Sequence, residues 1–172
     1  MNSILIEQIR DALGVDGFWQ PYLDEFVVKQ PASVAVHLGV FTEPFLQYVI
    51  EGQKTIESRF SVTPCPPYRR VKDGDVLLLK QVGGPVVGIC QVGRAWFYRI
   101  DPDSLAELRS QFATALCAPE PEFWNERASA GFATLMSLRQ VRKIRPVRVE
   151  KRDRRGWVIV RKRSKQLLLW NH

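Results

Sequence analysis

The alternation of hydrophobic and polar positions divides the chain into a helical N-terminal stretch and a series of short strands broken by turns. Ile4, Leu5, Ile9 and Leu13 recur at helical spacing, with Gly14 as a stop. Gly17 to Tyr22 breaks that period, and a second short helix is predicted before Gln30-Pro31. Trp19, Tyr22 and Phe26 form a candidate docking face, either for the same domain or for a second subunit. Ser33 to Phe41 reads as a buried strand. Thr42 is a favourable N-cap and Pro44 suits a first turn, which predicts a short helix closed by Gly52. Lys54 to Phe60 alternates as a strand, with Ile56, Ser58 and Phe60 on one face and Thr55, Glu57 and Arg59 on the other.

Beyond a proline-rich loop from Ser61 to Tyr68, Val71 to Asp75 turns into a strand at Val76 to Lys80. Gly83-Gly84-Pro85 predicts a hairpin turn into Val86 to Val92, and Gly93 a bulge before Ala95 to Tyr98. Asp103 to Leu116 carries leucine and phenylalanine at helical spacing, and Glu120 to Ala128 predicts another short helix. Strands are predicted at Leu135 to Ile144, at Val147 to Val149 and, after the turn Asp153 to Gly156, at Trp157 to Val160. Many short strands with a few inserted helices predict an α+β fold, a small mixed β-barrel with short flanking helices. The expected organisation is a helical extension at 1–32, a barrel domain at 33–161 and a basic, then apolar, tail at 162–172.

Composition narrows the class. At 172 residues the chain can bury a core without disulfides or metals. Cys65, Cys90 and Cys117 form no C-x-x-C pair, which fits reduced thiols and a cytoplasmic location. His37 and His172 do not make a zinc pattern, and no cofactor is called for. The apolar runs are too short to cross a bilayer, and no basic leader precedes an apolar stretch, so no membrane partner is expected. The oligomeric state is left open.

Charge points to a polyanion. Of the net +7, the stretch Arg139 to Lys165 holds 13 Lys and Arg against Glu150 and Asp153, so the rest of the chain is net negative. Arg139, Arg142, Arg145, Arg148, Arg152, Arg154 and Arg155 are candidate RNA contacts, while the same charges also suit a solvated edge strand. Trp157 alternates with Ile159 and is assigned to the core. Trp96 and Tyr98 share a strand face and are weighed as cleft residues against a core role.

The densest chemistry lies in Gly52-Gln53-Lys54-Thr55-Ile56-Glu57-Ser58-Arg59, a G-x-K-x-x-E-x-R block after a short helix. Glu57 and Arg59 share a strand face, and Lys54 enters beside them. A lysine there can bind phosphate or, desolvated, act as a base; Glu57 can hold it or take a proton; Arg59 can clamp a phosphate or a base edge. The same spacing also fits a purely structural ion-pair group.

This block, with the helix before it and Arg70 to Asp75 leading into a hydrophobic strand, resembles the signature of the ASCH family of PUA-like barrels over about residues 34–150. The resemblance implies a PUA-like barrel with the block lining a cleft opposite a short helix. It implies binding of RNA, or of a modified nucleoside within RNA, through Lys54 and Arg59. It also admits enzymes. Family members that deacylate a modified cytidine resemble G-x-K-x-x-T-x-R; this chain has Glu57 at the threonine position, which weighs against that activity. Family members proposed as ribonucleases use a tyrosine and a lysine, for which Tyr48 and Lys54 stand here with Glu57, and Mg²⁺ would be admitted only in that reading. A further hydroxyl, Ser129 or Ser137, is not placed by the sequence. A protein-interaction role, with residues 1–32 mediating dimerisation, is the third class.

Overall fold

A computed structural model describes residues 2–150 and 154–164. Arg152 and the tail beyond Ser164 lie outside the described residues. Helix α1 (Asn2–Leu13) and a short α2 (Trp19–Tyr22) lead into a π-helical turn, Leu23–Val28. Strand β1 (Val36–Phe41), helix α3 (Phe45–Ile50), and strands β2 (Ile56–Ser61), β3 (Val76–Gln81) and β4 (Val86–Arg99) follow. Helices α4 (Pro102–Phe112) and α5 (Pro121–Asn125) precede β5 (Phe132–Val147) and β6 (Trp157–Arg161).

The six strands form one mixed sheet in the order β2-β5-β4-β3-β1-β6. Only β1 and β3 run parallel among the paired strands. The sheet curls, because a side chain of edge strand β2 reaches the residue before the opposite edge strand: Arg59 donates to the Gly156 carbonyl at 3.2 Å. The result is an α+β half-barrel with short helices on its flanks.

Strand periodicity divides the apolar residues between cores. Val76 and Leu78 pack with α1, Trp19 and Leu23, whereas Leu77 and Leu79 pack inside the barrel with Phe41, Leu46, Cys90, Met136 and Trp157. β3 is therefore buried on both faces, which is why it reads as an unbroken apolar run. A third cluster places Leu108, Leu116 and Trp124 of the α4–α5 segment on Ala133 and Leu135.

Residues 1–32 pack on the sheet. Leu5, Ile6, Ile9, Trp19, Leu23 and Val27 are buried, and Trp19 Nε1 donates to the Gln140 carbonyl at 2.8 Å. Tyr22 Oη donates to the Gly74 carbonyl. Ile4 is exposed and Ile6 takes the buried place expected for it, a shift of the apolar face that spacing leaves ambiguous. Phe26 remains partly exposed.

Two local expectations are corrected. Thr42 does not cap α3; Pro44 is the N-cap residue, and the Glu43 carboxylate accepts the Gln47 N–H at 3.1 Å. The segments 135–144 and 147–149 do not make two strands. One strand, β5, runs from Phe132 to Val147, and bulges in its β4 pairing, with Gln140 at φ 52°, absorb the break in alternation. Gly93 lies at one of these irregularities, where a Cβ would stand 2.2 Å from Ser137 Oγ. No helix among the described residues is long and apolar enough to cross a membrane.

Candidate functional site

The G-x-K-x-x-E-x-R block is set by one local device and two long-range contacts. Gly52 takes φ 80° after α3, a conformation cheap for glycine, and the Tyr48 carbonyl accepts the N–H groups of both Gln53 and Lys54. The N–H groups of Thr55 and Ile56 both bond the Ala115 carbonyl, in the turn after α4. The Lys54 ammonium donates to the neighbouring Leu116 carbonyl at 3.1 Å. The α4–α5 segment thus fixes the lysine from across the chain, a contact with no signal in the block itself.

Strand pairing directs the rest. Glu57 lies opposite Met136 and Arg59 opposite Thr134, so these side chains face the barrel interior. Glu57 is 6% exposed and Lys54 3%. Lys54 Nζ lies 3.5 Å from Glu57 Oε2, and Arg59 Nε lies 3.0 Å from Glu57 Oε1. The charges touch, yet Glu57 Oε2, Arg59 Nε and the buried Thr134 Oγ1 have no aligned hydrogen-bond partner. Burial pushes Lys54 below the ordinary lysine range, and the Glu57 charge opposes that shift. The same floor extends into the barrel, where burial raises the Cys90 thiol and Glu57 adds to the effect.

Arg59 is held on an aromatic shelf. Its guanidinium stands 4.8 Å from the Phe41 ring centroid and 5.3 Å from that of Trp157. Trp157 is buried and its Nε1 donates to His37 Nδ1 at 3.1 Å. That bond leaves the His37 proton on Nε2, which faces Asp75 Oδ2 at 3.0 Å. Asp75 also accepts from Ala35 N, Lys72 N and Arg163.

Lys54, Glu57, Arg59 and Phe41 floor a cleft of about 470 Å³ at the gap between β2 and the end of β1. Phe45, Phe60 and Phe123 wall it, and Ser129 lies on its rim. Arg127, which sequence reasoning missed, completes it. Its guanidinium stacks 3.5 Å from the Phe123 centroid and donates to the Phe123 carbonyl. Burial lowers its proton affinity, against the opposing charge of Glu126. With Lys54, Arg59 and Arg127 against Glu57 and Glu126, the lining carries one net positive charge. The helical spacing of α5 gave no reason to single out Arg127, because its role depends on the loop returning over β2.

The other candidates are distributed. Tyr48 sits on α3 with its ring edge-on to Phe45 and does not line the cleft. Ser137 lies under Gly93, away from the cleft lining. Trp96 and Tyr98 pack with α4 instead. Arg139 pairs with Asp73 at 2.6 Å, Arg142 with Asp16 at 3.2 Å, and Arg145 donates to the Asp11 carbonyl. They face the N-terminal segment and the turn before β3. Arg148 is exposed just past the end of β5, and Arg154 and Arg155 precede Gly156 in the chain without lining the cleft. Among the described residues no group of three or more His, Cys, Asp or Glu could hold a metal.

No protein-family model matches the chain. No curated protein matches it at the sequence level. Solved structures do. The chain is similar to the ASCH protein of Zymomonas mobilis, with TM-score 0.58 and 16% identity over 78% of this chain and 94% of that one. A tyrosine-to-phenylalanine variant of the same protein matches with TM-score 0.57 and 16% identity, over 78% of this chain and 96% of that one. A protein of Enterococcus faecalis V583 matches with TM-score 0.50 and 14% identity, over 81% and 90% of the two chains. The fold is therefore that of the Zymomonas mobilis ASCH protein, an α+β half-barrel.

Proposed function

We propose that this protein binds RNA and takes a nucleoside, modified or not, into the cleft around Lys54, Glu57 and Arg59. One observation carries the reading: buried charged groups with unused hydrogen-bonding capacity floor an open, aromatic-walled and net positive cleft. Buried charged groups that pair without aligned hydrogen bonds can take a further partner. Glu57 Oε2 can accept from a base amino group, while Lys54 and Arg59 can donate to carbonyl or phosphate oxygens. Phe45, Phe60 and Phe123 supply apolar wall for a ring, and Arg127 in the same lining can meet a backbone phosphate.

A second reading, hydrolysis, is favoured by the desolvated Lys54 in a cleft that Ser129 also lines. A lysine that gives up its proton more readily can serve as a base.

Labelled single-stranded RNA incubated with wild type and with Lys54→Ala, with and without Mg²⁺, separates the two. Binding that weakens with salt, with RNA left intact by both proteins, is expected. Cleavage by wild type that Lys54→Ala abolishes moves the assignment to a hydrolase. Absence of RNA binding at physiological salt overturns the proposal.

A further inference from the structure

Beside the cleft lies a second concavity, of about 450 Å³, lined by Pro64, Tyr68, Arg69, Arg70, Arg99 and Phe132. Three arginines converge there and no carboxylate does. All three are exposed, and none makes a side-chain hydrogen bond or ion pair within the described residues. Elsewhere in the fold Arg10, Arg59, Arg127, Arg139 and Arg142 each touch an acidic side chain. Three clustered guanidinium groups without a counter-charge repel one another, an arrangement that an anion would relieve.

The concavity is built. Tyr68 packs edge-on against Phe132 at 5.0 Å and Phe97 at 5.7 Å, which fixes its base. Arg99 lies over the Phe132 ring at 5.9 Å and Arg69 over the Tyr68 ring at 5.6 Å. Arg69 takes φ 56°, a left-handed conformation that disfavours a non-glycine residue, in the turn that brings Arg69 and Arg70 into the lining. It also adjoins the cleft. Ser61, Val62 and Ala130 line the cleft; Pro64 and Phe132 line the concavity; Ser61 pairs with Phe132 and accepts the Gly131 N–H.

We propose that this concavity is a phosphodiester subsite, which grips the RNA strand flanking the nucleoside in the cleft. The inference rests on the RNA reading above. Planar guanidinium forks match phosphate oxygens two at a time, and the Tyr68 and Phe132 rings hold Arg69 and Arg99 in place. An acidic peptide is the competing occupant, but continuity with the cleft through Ser61 and Phe132 favours the strand whose nucleoside the cleft takes.

The test is fluorescence anisotropy with labelled single-stranded RNA of about twelve nucleotides and of about three, across a salt series, on wild type and Arg70→Gln/Arg99→Gln. Both positions are exposed, so an unchanged melting temperature is required of the variant. For the longer RNA, the slope of log affinity against log salt is expected to fall by about 0.7 for each phosphate that the variant no longer neutralises. Affinity for the shorter RNA is expected to stay the same. A longer-RNA slope unaltered by the substitutions overturns the subsite alone. Wild type that binds neither RNA fails the functional reading, and the subsite with it. Polyglutamate that displaces the longer RNA as well as unlabelled RNA does reassigns the concavity to an acidic peptide and overturns the phosphodiester.

Discussion

Arg59 on β2 donates to the carbonyl oxygen of Gly156, the residue immediately before β6, and so joins the two edges of the sheet. The same guanidinium contacts Glu57 and rests on the Phe41 and Trp157 rings. Closure of the half-barrel and construction of the cleft are thus one interaction. Arg59→Met leaves the Glu57 carboxylate buried with Lys54 as its remaining charge partner. The expected loss is about 2 kcal/mol, below the roughly 3–5 kcal/mol of a fully buried broken pair because Arg59 is partly exposed. Glu57→Gln/Arg59→Met is expected to recover part of it. Urea unfolding of the single and double variants measures both.

Lys54 titrates under two opposed influences, burial and the Glu57 charge. Glu57→Gln removes the one that holds the proton on, so the Lys54 amine is expected to titrate still lower. Carbon NMR of methylated lysines reads that shift directly. Stability carries the same sign: the unfolded chain holds this proton more tightly than the folded protein. The penalty is full below the folded pKa and is relieved as pH climbs toward the ordinary value of 10.5. Lys54→Met is expected to flatten that rise in stability with pH.

Arg127 covers the Phe123 ring and reaches back to its carbonyl. Arg127→Met keeps the aliphatic stem and removes the charge. RNA affinity is expected to fall and its salt dependence to weaken by the equivalent of about one phosphate. Anisotropy across a salt series checks this, and affinity equal to wild type would separate Arg127 from the binding surface.

The N-terminal segment belongs to the core, because Trp19 is fully buried and bonded to the backbone of β5. Trp19→Ala is expected to cost about 3–5 kcal/mol. Deletion of residues 1–32 removes six large apolar side chains from one cluster and is expected to abolish cooperative melting. Circular dichroism melts decide this. A truncated chain that melts cooperatively near the wild-type temperature would show the segment to be dispensable.

Gly93 faces the Ser137 hydroxyl across the β4–β5 ladder with no space for a methyl group. Gly93→Ala is expected to destabilise by about 1–3 kcal/mol. Ser137→Ala in the same chain removes the nearest atom and is expected to restore part of the stability. The double-mutant cycle tests this packing without touching the cleft.

Much of the secondary structure was legible because its signals are local. Glycine punctuation marked the end of α3, the β3–β4 hairpin and the β4 bulge, and period-two alternation placed Glu57 and Arg59 on one face. Helix spacing located α1 but chose Ile4 over Ile6, since a short apolar face tolerates a rotation of one position. Alternation alone splits β5 in two, because bulges shift side-chain parity without any change in composition. The motif itself, and with it the expectation of a PUA-like α+β fold, was carried by one short block.

What the tertiary structure decided was which charges meet. Sequence placed Lys54, Glu57 and Arg59 within one turn and one strand, and the backbone period alone put two of them side by side. It could not supply Leu116 for Lys54, the Phe41–Trp157 shelf for Arg59, or Arg127 across the cleft, since those partners arrive from distant segments. Nor could it divide the arginines. Arg139, Arg142 and Arg145 form one basic run in the chain, yet the fold turns the first two to the Asp73 and Asp16 carboxylates and the third to the Asp11 backbone carbonyl. Arg69, Arg70 and Arg99, which no charge run announced, gather beside the cleft. The physical reason is that periodicity and turn chemistry act over a few residues, whereas the pairing of charges depends on how the sheet curls.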